Sequence, residues 1–78
     1  MKLIALNLPR NFNEQKLEKL FKVHGRVTAC TIVLDEVSGA SKGFGFVEME
    51  REEDAMAAIE KLHRAKVKQN RIRVRPAE

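Results

Sequence analysis

The segment Lys42-Gly43-Phe44-Gly45-Phe46-Val47-Glu48-Met49 holds the residues of this chain whose types and spacing carry a chemistry. In an extended strand successive side chains point to opposite faces, so Lys42, Phe44, Phe46 and Glu48 share one face and Gly43, Gly45, Val47 and Met49 the other. A lysine and a glutamate on the phenylalanine face make its burial costly, because a charge removed from water needs a partner. The two rings are therefore expected on the solvent side of a sheet. On a basic protein such rings form a platform for unstacked nucleic-acid bases, at about 1–3 kcal/mol per base. Other chemistries lack their residues. Cys30 is the only cysteine, which excludes a disulfide framework and a cysteine-rich metal site. His24 and His63 have no partner at metal-ligand spacing and no nucleophile beside them, so both read as partly exposed surface side chains. No metal, cofactor or catalytic residue is expected, and the chain reads as a binding module rather than an enzyme.

Length and charge narrow the class further. Seventy-eight residues make one domain, residues 1–78, with a modest core and too little chain for a deep cleft and its scaffold. A net charge of +4 and a pI near 9.6 favour an anionic partner. A lone cysteine fits a reducing compartment, hence an intracellular protein, cytoplasmic or, in a eukaryote, nuclear. The apolar run Leu3 to Leu8 is too short for a signal peptide or a membrane span, so no membrane partner is expected.

The elements that must hold the octamer follow from periodicity. Residues 2–7 read as a strand. Asn13 is placed to cap a helix, with Phe12 before it able to pack on Leu17 as a hydrophobic staple. Leu17, Leu20 and Phe21 give that helix an apolar face, and Gly25 stands where a left-handed cap would end it. Residues 26–34, rich in Val, Thr and Ile, predict a second strand, a turn-like loop spans 35–41, and the octamer makes the third strand. Ala55, Ala58, Ile59 and Leu62 recur at helical spacing behind Glu52, Glu53 and Asp54, which suit a helix N-terminus; Arg51 is a poor cap there. Val67 is expected to pair briefly across a Gln69-Asn70 turn, and residues 71–75 to form a closing edge strand. Phe12, Phe21, Cys30 and Met49 are assigned to the core. The order strand, helix, strand, strand, helix, strand is an α+β split βαβ arrangement: a ferredoxin-like sandwich with a four-stranded antiparallel sheet and both helices on one face.

Charge is distributed unevenly. Residues 64–78 carry a surplus of five positive charges and residues 48–60 an excess of five negative ones. The molecule is strongly polarised.

The octamer is similar to the K/R-G-F/Y-G/A-F-V-x-F/Y pattern of the RNA recognition motif family, departing at Met49. Leu3-Ile4-Ala5-Leu6-Asn7-Leu8 resembles the family's shorter hexamer, Asp35 to Phe44 its loop into the third strand, and Glu53-Asp54-Ala55 with Ala58-Ile59 its second helix. The resemblance runs over nearly the whole chain. It implies that the closing strand lies beside the first, so that Arg71, Arg73 and Arg75 edge the platform. It also implies that Ile4 occupies a position where the family usually stacks an aromatic ring, and that Leu6 replaces a residue that is commonly small. With Val33, Phe44 and Phe46, these two make an apolar patch of the kind that marks an interaction site.

The expected function is binding of single-stranded RNA, with single-stranded DNA as a kindred ligand. Bases would stack on Phe44 and Phe46 and meet Ile4 and Leu6, while Lys42, Arg73, Arg75 and Arg71 would hold phosphates or base edges. The alternative is a protein-interaction variant of the same fold, its apolar sheet face taking a peptide or a second copy. With Glu78 last in the sequence, no terminal extension is expected to cover the rings. A small acyl-phosphate hydrolase on this topology is disfavoured, because no Gly-rich anion loop with an arginine precedes the first helix.

Overall fold

The structure is a computed structural model and describes residues 1–77. The first strand, β1 (Lys2–Leu6), alternates as its sequence does: Leu3 and Ala5 are fully buried, whereas Ile4 and Leu6 are partly exposed on the opposite face. Asn7 then turns the chain with φ at 61°. Asn13 caps α1 (Glu14–Lys22), its side-chain oxygen accepting from Lys16 N–H at 2.8 Å. Phe12, Leu17 and Phe21 belong to the buried cluster, as the staple and the helical spacing predict.

The end of α1 differs from expectation. Gly25 is not left-handed; the last turn tightens instead, with His24 and Gly25 N–H groups donating to the Phe21 (2.9 Å) and Lys22 (3.4 Å) carbonyls. Gly25 serves another purpose. A Cβ there would lie 2.5 Å from Cβ of Asp54, so the absent side chain lets the end of α1 reach the start of the second helix.

Strand β2 (Val27–Leu34) is joined by the loop 35–40 to β3 (Ser41–Met49). Helix α2 (Glu52–Leu62) follows, its Arg51 cap making no side-chain hydrogen bond and its first-turn acids facing the positive end of the helix dipole. A short hairpin, β4 (Lys66–Val67) and β5 (Asn70–Arg71), precedes the closing strand β6 (Arg73–Pro76). Two boundaries differ from the sequence expectation. Val67 pairs with Asn70, so Lys68 and Gln69 are the turn residues, Lys68 taking a left-handed φ of 56°. The closing strand starts at Arg73, not Arg71. Buried Ile72 exchanges backbone hydrogen bonds with Arg64 (2.8 Å) and Ala65 (3.0 Å) at the end of α2, which leaves Arg71 in the hairpin.

The main sheet has the order β2-β3-β1-β6, with every neighbouring pair antiparallel. Leu3, Ala5, Val47, Met49 and Val74 from one sheet face join Leu17, Phe21, Ala55, Ala58 and Leu62 from the two helices in a single buried cluster. The other face has no layer upon it. Cys30, assigned to the core, lies on the helix-covered face and packs against the core cluster but is only partly buried, its thiol directed to the Glu14 carbonyl at 3.5 Å.

His63 is more than a surface side chain. Its Nδ1 accepts the Val74 N–H at 3.1 Å, tying the end of α2 to the outer edge of β6. His63→Ala should therefore cost about 1 kcal/mol, the usual net value of such a bond. Urea unfolding and amide exchange check this: the Val74 amide should exchange faster in the variant, and unchanged protection would mean that the bond contributes nothing.

Candidate nucleic-acid interface

Alternation in β1, β3 and β6 brings residues far apart in sequence into rows on the open face. Ile4 pairs with Phe46 on one side and with Arg75 on the other, and Thr31 lies beyond Phe46. In the neighbouring row Leu6 pairs with Arg73. Phe44 and Phe46 are partly exposed, with ring centroids 6.3 Å apart and planes at 81°, an edge-to-face pair that leaves ring surface open to solvent. Lys42, Arg73 and Arg75 are exposed around these rows. Seven of the eight residues singled out from the sequence, Ile4, Leu6, Lys42, Phe44, Phe46, Arg73 and Arg75, thus share one face. Arg71 stands apart in the hairpin, its guanidinium donating to the Arg64 carbonyl at 3.3 Å.

Two cations of the site escaped the sequence reading. Lys2 Nζ lies 4.8 Å from the Phe46 ring centroid, in cation–π range. Alternation could have found it, since Lys2 is two residues before Ile4 on the same strand face. Arg10 is in a loop, where no periodicity speaks. Its Nη1 donates to the Ser41 carbonyl at 3.0 Å, which holds the guanidinium across the start of β3. Arg10, Lys42 and Arg73 together with Leu6, Asn7, Phe44 and Asn70 line an open groove of about 590 Å³ at this end of the platform. Asn7 and Asn70 fix one wall: Asn7 Nδ2 donates to the Arg71 carbonyl (2.9 Å) and Asn70 Nδ2 to the Asn7 carbonyl (3.1 Å), so the β4–β5 hairpin is pinned to the end of β1.

Backbone detail shapes the same end. The pairing of β2 with β3 shifts between Ile32–Gly45 and Leu34–Ser41, leaving extra residues on β3. Gly43 absorbs the kink with φ at 83°, and its carbonyl accepts Leu8 N–H at 2.8 Å. The adjoining loop is organised by Asp35. Its Oδ1 accepts from Val37 (2.9 Å) and Ser38 (3.0 Å) N–H groups, and the Ser38 and Val37 bonds hold the carboxyl below its ordinary pKa.

The electrostatics leave the cations available. Among the described residues the ion pairs are Arg26–Glu50 (3.2 Å) and Arg51–Glu53 (3.8 Å), neither on this face. Cys30 offers no nucleophile: burial, then the charges of Glu18 and Glu14, push its thiol up to about 11, so it stays protonated at neutral pH. The described residues contain no cluster of metal-ligating side chains and no helix long and apolar enough to cross a membrane.

The profile of the RNA recognition motif matches residues 6–73. The chain belongs to the RNA recognition motif family. It is 39% identical over 72 residues to small ribosomal subunit protein cS22 of Spinacia oleracea, covering 92% of this chain and 28% of that protein. It is equally similar, 39% over 72 residues, to the chloroplastic RNA-binding protein CP31B of Arabidopsis thaliana, covering 92% and 25%. The chain thus spans about a quarter of the curated relatives it matches. Among solved structures, RNA Binding Protein PG1 superposes with a TM-score of 0.96 at 38% identity, covering 99% of this chain and 93% of that one. A solved complex of the Sxl-lethal protein with RNA gives 0.94 at 32% identity, covering 99% and 46%.

Within this RNA recognition motif, glycine at 43 is required by backbone and by space. A Cβ would meet Arg10 Nε at 3.1 Å and the Leu8 carbonyl oxygen at 3.5 Å, on top of the left-handed φ. Gly43→Ala should lose about 1–3 kcal/mol of stability. Gly39→Ala, equally left-handed at 75° but with nothing within 4 Å of its Cβ, should lose less. Urea unfolding of both variants tests the difference, and equal losses would mean that the Arg10 contact is immaterial.

Proposed function

We propose that this RNA recognition motif binds single-stranded RNA across its open sheet face, and single-stranded DNA by the same contacts more weakly. The carrying observation is the edge-to-face pair of partly exposed rings, Phe44 and Phe46, on the uncovered side of a sheet rimmed by cations that form no ion pair among the described residues. Bases stack on the two rings; Ile4 and Leu6 give apolar contact; Lys42, Arg73 and Arg75 hold phosphates or base edges. Arg10 joins them at the groove, and Arg71 contributes from the hairpin flank. Affinity is modest, because Ile4 supplies no third stacking ring. Residues 1–78 act as one domain, in an intracellular compartment where RNA is present and the Cys30 thiol stays reduced. RNA-binding protein CP31B, among the relatives, is named for the same ligand class.

Stacking sets the first test. Phe44→Ala and Phe46→Ala should each weaken RNA binding by about 1–3 kcal/mol with little change in thermal unfolding, since neither ring belongs to the buried cluster. Ile4→Phe should tighten binding by about 1 kcal/mol, the low end of the stacking range. Titration calorimetry against one short RNA reads all three; unaltered affinity in the Phe variants would remove the platform from the mechanism and leave the sheet face to a protein ligand.

Charge sets the second. Each phosphate contact should contribute about −0.7 to the slope of log affinity against log salt, so Arg73→Gln and Arg10→Gln should each flatten the slope by about that amount. Binding measured over a salt series decides it, and a slope near zero in the unmodified chain would exclude phosphate contacts.

A further inference from the structure

A second basic cleft adjoins the platform at the edge of the sheet. His63, Arg64, Arg71, Ile72 and Arg73 line an open space of about 470 Å³ where the end of α2 meets the β4–β5 hairpin. The three arginines are exposed, no carboxylate lines the cleft, and none of its cations has an ion-pair partner among the described residues. Its polar side chains can all donate. Nδ1 of His63 accepts the Val74 N–H, so the neutral ring carries its proton on Nε2 and has a donor to offer there. Arg71 Nη1 is held on the Arg64 carbonyl at 3.3 Å, which positions a guanidinium with four further N–H groups to give.

Two features of this corner work against stability. Lys66 pairs directly with Arg71 across the hairpin, and like charges in that position repel. Arg64 takes a left-handed φ of 69°, a conformation that glycine or asparagine adopts at less cost. An anion shared by these cations accounts for both. Arg73 identifies that anion. Its side chain also lines the groove that contains Phe44, Arg10 and Lys42 on the sheet face, so the two cavities meet at one guanidinium. A strand laid along the groove therefore reaches Arg73 and finds the cleft beyond it. The other space beside Arg73, along the outer edge of β6, contains Glu60, which repels a phosphate. Charge thus directs the strand toward Arg64 and Arg71.

We propose that single-stranded RNA continues past the β6 edge of the sheet and that its backbone phosphates are bound in this cleft by Arg64 and Arg71, with Lys66 and His63 beside them. The inference rests on the proposed RNA binding and extends it to residues outside the sheet face. The face meets the bases, while the cleft meets only phosphates and so adds affinity that depends on strand length and not on sequence. A strand that fills the face alone does not reach it.

Randomised RNA pools of about 4 and about 8 nucleotides, titrated by fluorescence anisotropy over a salt series, test the cleft. Arg64→Gln should flatten the salt slope of the longer pool by about 0.7, which at about 0.1 M salt is a fall in affinity of about fivefold. Binding of the shorter pool should be unchanged. Arg64→Lys keeps the charge and should keep the slope. Lys19→Gln removes the same charge from the exposed side of α1 and should leave the slope unaltered, which separates a local contact from net charge. Circular dichroism confirms folding, and Arg64→Asn, suited to a left-handed backbone, replaces a Gln variant that unfolds. Full affinity of Arg64→Gln for the longer pool overturns the proposal while the RNA reading stands. So does an equal loss with both pools, or an equal loss in Lys19→Gln. Failure of the unmodified protein to bind either pool overturns both.

Discussion

One-sided burial of the four-stranded sheet is the constraint on which the rest depends. Each strand sends alternate side chains to opposite faces, and only one face receives the two helices. Leu3, Ala5, Val47, Met49 and Val74 are sealed against Leu17, Phe21, Ala55 and Ala58. The intervening residues, Ile4, Leu6, Phe44, Phe46, Arg73 and Arg75, are then obliged to face outward. A shift of one residue in any strand would exchange the two sets, placing arginines in the core and burying the rings. The core thus fixes the register, and the register presents the platform.

The same geometry separates functions by layer. Phe44 and Phe46 lie outside the buried cluster, which leaves ring surface open to solvent. Around them the backbone is stiffened where a ligand would press. Asp35 organises the loop into β3, Asn7 and Asn70 pin the hairpin, and Arg10 is held against Ser41. His63 anchors β6 from behind, so the strand that carries Arg73 and Arg75 is tied on both edges, to β1 through the sheet and to α2 through a side chain. Preformed cations lose less freedom on binding than mobile ones. Behind the sheet, Glu14 of α1 accepts Ile32 N–H, which ties the start of that helix to β2.

Membership of the RNA recognition motif family fits the departures as well as the matches. Ile4 in place of an aromatic ring and Met49 in place of the last aromatic have different consequences. Met49 is buried and fills space in the core, where its flexible side chain packs readily. Ile4 lies in the row of Phe46 and Arg75 and removes stacking surface from the middle of the platform. One substitution is absorbed by packing and the other alters the open face of the sheet.

The order of elements, the rear core, the capping Asn13 and the exposure of Phe44 and Phe46 were legible in the sequence. They depend on local periodicity and on the cost of burying Lys42 and Glu48, both of which a linear reading contains. The family resemblance added Ile4, Leu6, Arg73 and Arg75, and the strand pairing put them where it implied. What tertiary structure alone decided are contacts between segments distant in the chain. Gly25 is small because Asp54 lies against it, not because a helix ends there. Arg71 leaves the closing strand because Ile72 bonds back to the end of α2. Arg10 enters the site because Ser41, 31 residues later, offers its carbonyl, and His63 becomes structural because Val74 needs an acceptor at the sheet edge. Periodicity reports which face a residue takes; it carries no information about which distant backbone group will need a partner.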